Sequence, residues 1–166
     1  MKKERIGKLF LLGGADTPQQ SLGWIPTEVA SALRGKKGCL VGAWGDAALW
    51  VLKKGLASPG NKPPVYILDE QAGPLLALNA LSALKKGDAV QVCFSSLKSC
   101  RDLAMALGLA SLGLKISVAV PLPIWGSEGI RNLLEKKLAG QGGSLTHYDH
   151  SPHAQEILDW FLSKKG

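Results

Sequence analysis

The sequence predicts a single α/β domain in which a parallel sheet lies between two layers of helices. Three observations point to it. Short apolar runs alternate with helically spaced segments along the chain, the order that builds strand–helix–strand units. The runs are continuously apolar, as strands covered on both faces are. At 166 residues the chain is long enough to bury a substantial core and short enough to need no second domain.

Taken in order, the first strand is expected at Lys8–Leu12 and a short helix at Pro26–Leu33. Pro26 suits a first helical turn, where its missing N–H costs nothing. Residues 1–35 then form a strand-and-helix extension to a core of residues 36–166. Core strands are expected at Gly38–Ala43, Val65–Leu68, Ala89–Phe94, Lys115–Val120 and Ser144–Tyr148. Helices follow at Asp46–Ala57, Pro74–Leu84, Lys98–Leu112 and Ser127–Leu138, and Gly55–Pro64 reads as a loop. Leu103, Ala106, Leu107, Ala110 and Leu114 share one helical face, and Gly113 ends that helix. The last helix is expected at Ser151–Lys164. Ser151 serves as its N-cap, Pro152 as its first residue, and Ala154, Ile157, Leu158, Phe161 and Leu162 as one apolar stripe. Right-handed crossovers then give one doubly wound parallel sheet.

Composition is that of an ordinary globular protein, 46% apolar and 20% charged. Disorder is expected only at the first few residues and at Lys164-Lys165-Gly166. No apolar run approaches the roughly 18–20 residues of a membrane helix, and Glu4, Arg5 and Lys8 interrupt any signal-peptide core. Cys39, Cys93 and Cys100 form no C-x-x-C pair, and an odd number suits reduced thiols, so the cytoplasm is the expected compartment. The net charge of +7 fits nucleic acid, an anionic small ligand or solubility alone. Its basic residues come in pairs (Lys36-Lys37, Lys53-Lys54, Lys85-Lys86, Lys136-Lys137) where helices end and the backbone dipole favours cations. Aromatics interleaved with basic residues are absent, so nucleic acid is not the expected partner.

In an open parallel sheet the ligand sits at the carboxyl ends of the strands, and three strand exits carry chemistry. Gly42-Ala43-Trp44-Gly45-Asp46 has no G-x-G-x-x-G, and the chain has no G-x-x-x-x-G-K-[ST]. This exit supplies either a site wall of Gly42, Trp44 and Asp46 or a tight turn capped by Asp46. Phe94-Ser95-Ser96-Leu97-Lys98-Ser99 brings hydroxyls, a lysine and the free amides of a helix start together. The expected phosphate cradle is therefore Ser95, Ser96, Lys98 and Ser99, beyond the single hydroxyl that a cap needs. His147-Tyr148-Asp149-His150-Ser151-Pro152-His153 holds every histidine. Three element types carry the imidazoles and no thiolate joins them, so no metal is expected there.

The stretch from Leu84 to Val120 resembles the sugar isomerase (SIS) domain family, including phosphoheptose isomerases. The residues that carry it are Gly87-Asp88 before the strand, the serine loop Ser95-Ser96-Leu97-Lys98-Ser99, and Gly113-Leu114-Lys115 leading into the next strand. Upstream, Cys39-Leu40-Val41-Gly42 is similar to the family's first core strand. Gln155-Glu156-Ile157 is similar to a Gln-Glu-Ile/Val in its terminal helix.

The resemblance implies a flavodoxin-like five-stranded sheet with an extra N-terminal strand. It also implies a phosphorylated sugar or similar anionic metabolite as ligand, Ser95, Ser96, Ser99 and Gln155 at the site, and a homodimer. No cofactor is implied. Isomerisation needs an acid/base pair, for which His153, Glu156, His150, Glu70 and Asp46 are the candidates. Leu97 stands where the family has a loop glycine, Asp46 where it has a serine and Ser163 where it has a catalytic histidine. Binding is therefore expected before catalysis. Two other readings remain open: a flavodoxin-like nucleotide- or flavin-binding protein, and a non-catalytic regulatory subunit.

Overall fold

The computed structural model describes residues 7–14, 24–58, 63–84, 89–97, 99–148, 150 and 152–163. Lys98, Asp149, Ser151, the Gly87-Asp88 pair and the terminal Lys164-Lys165 lie outside the described residues. Among the described residues six strands and six helices alternate. These are β1 (Lys8–Gly13), α1 (Trp24–Leu33), β2 (Cys39–Ala43), α2 (Asp46–Lys53), β3 (Tyr66–Ile67), α3 (Ala72–Leu84) and β4 (Val90–Phe94), then α4 (Cys100–Ser111), β5 (Lys115–Val118), α5 (Glu128–Gly140), β6 (Ser144–His147) and α6 (Ala154–Leu162). A 3-10 turn at Pro123–Gly126 leads into α5.

All strand pairs are parallel and the order is β3-β2-β1-β4-β5-β6. The doubly wound α/β class expected from the sequence is the one observed. Without β1 the remaining strands run in flavodoxin order, and β1 enters at the switch point between β2 and β4, which gives the Rossmann order. The strand read as an extension is thus the centre of the sheet. Its run Phe10, Leu11 and Leu12 is almost wholly buried, which an edge position could not provide.

Alternate residues of each strand face opposite layers. Phe10, Leu12, Val41, Cys93 and Ala119 pack beneath α1, α2 and α6. Leu9, Leu11, Val92, Ile116 and Val118 pack beneath α3, α4 and α5. Phe10 meets Phe161 edge-on at 5.1 Å between ring centroids, which seats α6 on the middle of the sheet.

Several element ends differ from the sequence reading, and local hydrogen bonds explain them. The third strand shrinks to Tyr66–Ile67, both exposed, because it has only β2 as a neighbour. Asp69 Oδ1 accepts the N–H groups of Gln71 and Ala72, so α3 starts before Pro74. Asp46 is a helical residue rather than the cap: Gly45 occupies the N-cap of α2 and no side chain caps it. The last helix starts at Ala154 with His153 at the N-cap, because Glu156 Oε1 accepts the His153 N–H at 2.9 Å. Pro152 therefore precedes the helix.

No helix among the described residues is long and apolar enough to cross a membrane. All three cysteines are unpaired. Burial pushes the Cys93 thiol up to about 12, and burial also raises Cys39, so thiolate, the reactive form, is scarce at both. Titration of native protein with a thiol reagent near neutral pH is expected to modify exposed Cys100 first and Cys93 only after denaturant is added. Rapid modification of Cys93 in folded protein contradicts this packing.

Candidate functional site

At the switch point the chains leaving β1 and β4 run side by side. Ser95 N–H donates to the Gly13 carbonyl at 2.9 Å, and Ser95 Oγ donates to the same oxygen at 3.2 Å. Gly14 follows with φ +100°, where a Cβ would lie 2.6 Å from Ser96 O and 2.8 Å from Ser96 N. Only glycine fits there, for backbone conformation and space alike.

Trp44, leaving β2, fills the space in front of this junction. Its N–H donates to Leu12 O at 3.0 Å. A Cβ on Gly13 would overlap its ring, and one on Gly73, at the start of α3, would lie 2.5 Å from its Cδ2. Phe94 meets the indole edge-on at 5.7 Å. The tryptophan is 3% exposed.

Above this floor lies a crevice of about 100 Å³ whose polar lining is Asp46, Glu70, Arg101 and Asp102, with Gly14, Gly45 and Met105 completing the wall. These groups arrive from three strand exits: Asp46 after β2, Glu70 after β3, and Arg101 and Asp102 from the first turn of α4 after β4. Ligand pockets of drug size run to about 300–1,000 Å³, so this crevice is too small to enclose a dinucleotide.

The cradle expected from the serine loop is built differently. Ser95 and Ser96 are buried, at 7% and 0% exposure, and the Ser95 hydroxyl binds the β1 carbonyl. Ser99 is the N-cap of α4: its Oγ accepts Asp102 N–H at 3.3 Å, and Asp102 Oδ2 accepts Ser99 N–H at 3.1 Å. These hydroxyls join strands and start a helix, the two jobs in which a serine side chain replaces missing backbone partners. None of the three lines the crevice.

Of the other residues expected at the site, Trp44, Asp46 and Glu70 line the crevice and Gly42 does not. Gly42 lies within β2, against Leu11 and Leu68. His153, Gln155 and Glu156 belong to the start of α6, after β6, three places from β1 in the sheet. Gln155 Nε2 donates to Asp159 Oδ1 at 2.7 Å. Glu156 pairs with His150 Nε2 at 3.1 Å. The His153 N–H, first of all, and then His150 hold its carboxyl below the usual value of 4.5. The His147 ring lies tilted against Trp125 at 5.1 Å between centroids, and the His153 ring meets Trp24 edge-on at 6.1 Å. Among the described residues no three His, Cys, Asp or Glu side chains are placed to hold a metal ion.

Gly14, Arg101 and Asp102 are the residues that motif reading passed over. The Gly13-Gly14 pair directly behind an apolar run was the available signal, since a backbone junction at the first strand exit needs such residues even without a full fingerprint. No family model matches the chain, and no curated protein matches it. Function is therefore argued from the crevice itself.

Gly14→Ala is expected to destabilise the fold by about 1–3 kcal/mol through overpacking and a left-handed backbone, measured by urea unfolding. A change within a few tenths of a kcal/mol contradicts the close β1–β4 junction.

Proposed function

We propose that the crevice binds a small phosphorylated sugar, or a similar anionic metabolite rich in hydroxyls. The observation that carries this is the joint lining of one switch-point crevice by Asp46, Glu70 and Arg101. Carboxylates at strand exits accept hydrogen bonds from sugar hydroxyls, as the acidic residue of dinucleotide folds does from ribose. A guanidinium offers paired donors to a phosphate. The phosphate is thus assigned to Arg101 and not to the serine loop, where the Ser95 and Ser99 hydroxyls have structural roles. Three carboxylates beside one arginine disfavour a ligand that is anionic throughout, and favour one with a single charged end and a neutral, hydroxylated body.

Isomerisation is the second reading, and the pairing of Asp46 and Glu70 on one wall supports it. Moving a proton between adjacent carbons needs an acid and a base, and carboxylates from two different strands are suited to those roles. This replaces His153 and Glu156 as the acid/base candidates. The resemblance to sugar isomerase domains belongs to this proposal, as does an intracellular location, which three unpaired thiols favour.

Thermal melts in millimolar aldose and ketose phosphates, each beside its free sugar, test the binding. The phosphorylated form is expected to raise Tm by a few degrees. Arg101→Ala removes its advantage over the free sugar, and Asp46→Asn with Glu70→Gln removes both shifts. Ser99→Ala lowers Tm as a lost cap but keeps the ligand shift. The proposal fails if no sugar phosphate stabilises the wild type, or if Arg101→Ala responds as the wild type does.

Pairing of two copies is part of the same proposal. Tyr66 and Ile67 on the edge strand and Leu75 and Leu76 on α3 are exposed, and α3 carries no charged residue. Chains of net charge +7 meet with least repulsion at such an edge. Sedimentation is expected to show a dimer that Leu75→Asp/Tyr66→Asp converts to monomer. A monomeric wild type at tens of micromolar sinks the pairing alone.

A further inference from the structure

At the opposite end of the sheet, where β4, β5 and β6 begin, a second cleft of about 340 Å³ opens beneath the end of α6. Its polar wall is Gln91, Lys115, Ser144, Thr146 and Ser163, and Trp160 supplies an aromatic side. Gln91 interrupts an otherwise apolar strand, between Val90 and Val92, and is 4% exposed. Its Oε1 is buried without a hydrogen-bond donor. A buried amide oxygen left so costs free energy until a donor reaches it, and native structures rarely leave one without a reason. An apolar residue would fill this place on β4 at no such cost.

We propose that this cleft is a binding site for a neutral planar ring carrying an adjacent donor and acceptor, the edge shared by nucleobases and ring carboxamides. The reading is independent of the crevice. The Gln91 amide determines the edge: its oxygen needs a donor and its NH₂ offers one, the complement through which glutamine pairs with adenine in two hydrogen bonds. Trp160, half-buried on α6 and packed edge-on against Phe161 at 4.9 Å, provides a π-face for a flat ring. Ser144 and Thr146, one alternation apart on β6, give the ligand's far edge hydroxyl partners.

Charge decides that the ligand is neutral. The cleft lies at the C-terminal ends of α5 and α6, through Ala139 and Gly142 on one side and Trp160 and Ser163 on the other. Both helix dipoles present their negative ends there and oppose an anion. Lys115 opposes a cation, and no acidic side chain is in the lining. The volume falls in the usual range for small-molecule sites, about 300–1,000 Å³. A single bridging water would leave most of it unused, since each water takes about 30 Å³.

The test uses adenine and nicotinamide as probes and benzoate as an anionic control, with ¹H–¹⁵N spectra following the Gln91 side-chain amide and the Trp160 indole N–H. Adenine or nicotinamide is expected to shift both signals saturably, and which of them does so names the source. Gln91→Leu is expected to weaken binding at least about tenfold without lowering the Tm of the ligand-free protein, since it removes an unpartnered polar group. Trp160→Leu, a second variant should Gln91→Leu fail to fold, is expected to weaken it as well. Arg101→Ala leaves binding unchanged, which separates this site from the crevice. The proposal is overturned if neither probe shifts these signals at about 10 mM, the cleft then holding water only. It is also overturned if benzoate binds as well as the neutral rings, or if Gln91→Leu binds as the wild type does.

Discussion

Trp44 stands where four elements end or begin. Its indole rests on the backbone of Gly13 at the end of β1, faces Gly73 at the start of α3, and takes the edge of Phe94 from β4. It is itself the residue after β2. A side chain of this size, buried among two glycines and a second aromatic, can sit there only if β1, β2 and β4 end level with one another. That condition keeps the switch point open: strand exits that end together leave a hollow above the indole, and α2 and α4 begin at its rim. The crevice is thus a consequence of packing apolar surface beneath it, and the charged side chains above stand on a shape already fixed.

The hydroxyls at this end of the sheet follow the same logic of local demand. At three of the strand exits that turn into helices, amides that lose their partners are taken up by a nearby polar side chain. Ser99 with Asp102 does this for α4, Asp69 for α3 and Glu156 for α6. Ser95 instead ties β4 to β1. The Ser95 and Ser99 hydroxyls are therefore already committed. What remains for recognition is the longer or charged groups beside them, Arg101 and Glu70 among them.

The two faces of the sheet are unequal. Beneath α3, α4 and α5 the strands present Leu, Val, Ile and Phe almost without interruption. Beneath α6 the same strands carry Gln91, Lys115, Ser117, Ser144 and Thr146. Burial there raises both the Cys93 thiol and the Tyr148 hydroxyl above their ordinary values. Placing polar groups on a covered face gives up hydrophobic stabilisation, and here they are concentrated beneath one helix.

The alternation of apolar runs with helical stripes was legible in the sequence, because strands covered on both faces must be apolar throughout and helices covered on one face must repeat near 3.6 residues. Class, parallel pairing and all twelve elements follow from it. Strand order did not, since a local pattern carries no information about which strand lies beside which; only packing made Lys8–Gly13 the centre rather than an extension. At the site, Trp44, Asp46 and Glu70 were legible because strand exits can be located from the pattern. Arg101 and Asp102 were not, because they lie past the serine loop and reach the crevice only by the direction in which α4 leaves β4. The serine loop shows a related limit: composition shows that hydroxyls are present, while the partner each one takes is set by whichever carbonyl or amide the folded backbone leaves within about 3 Å of it.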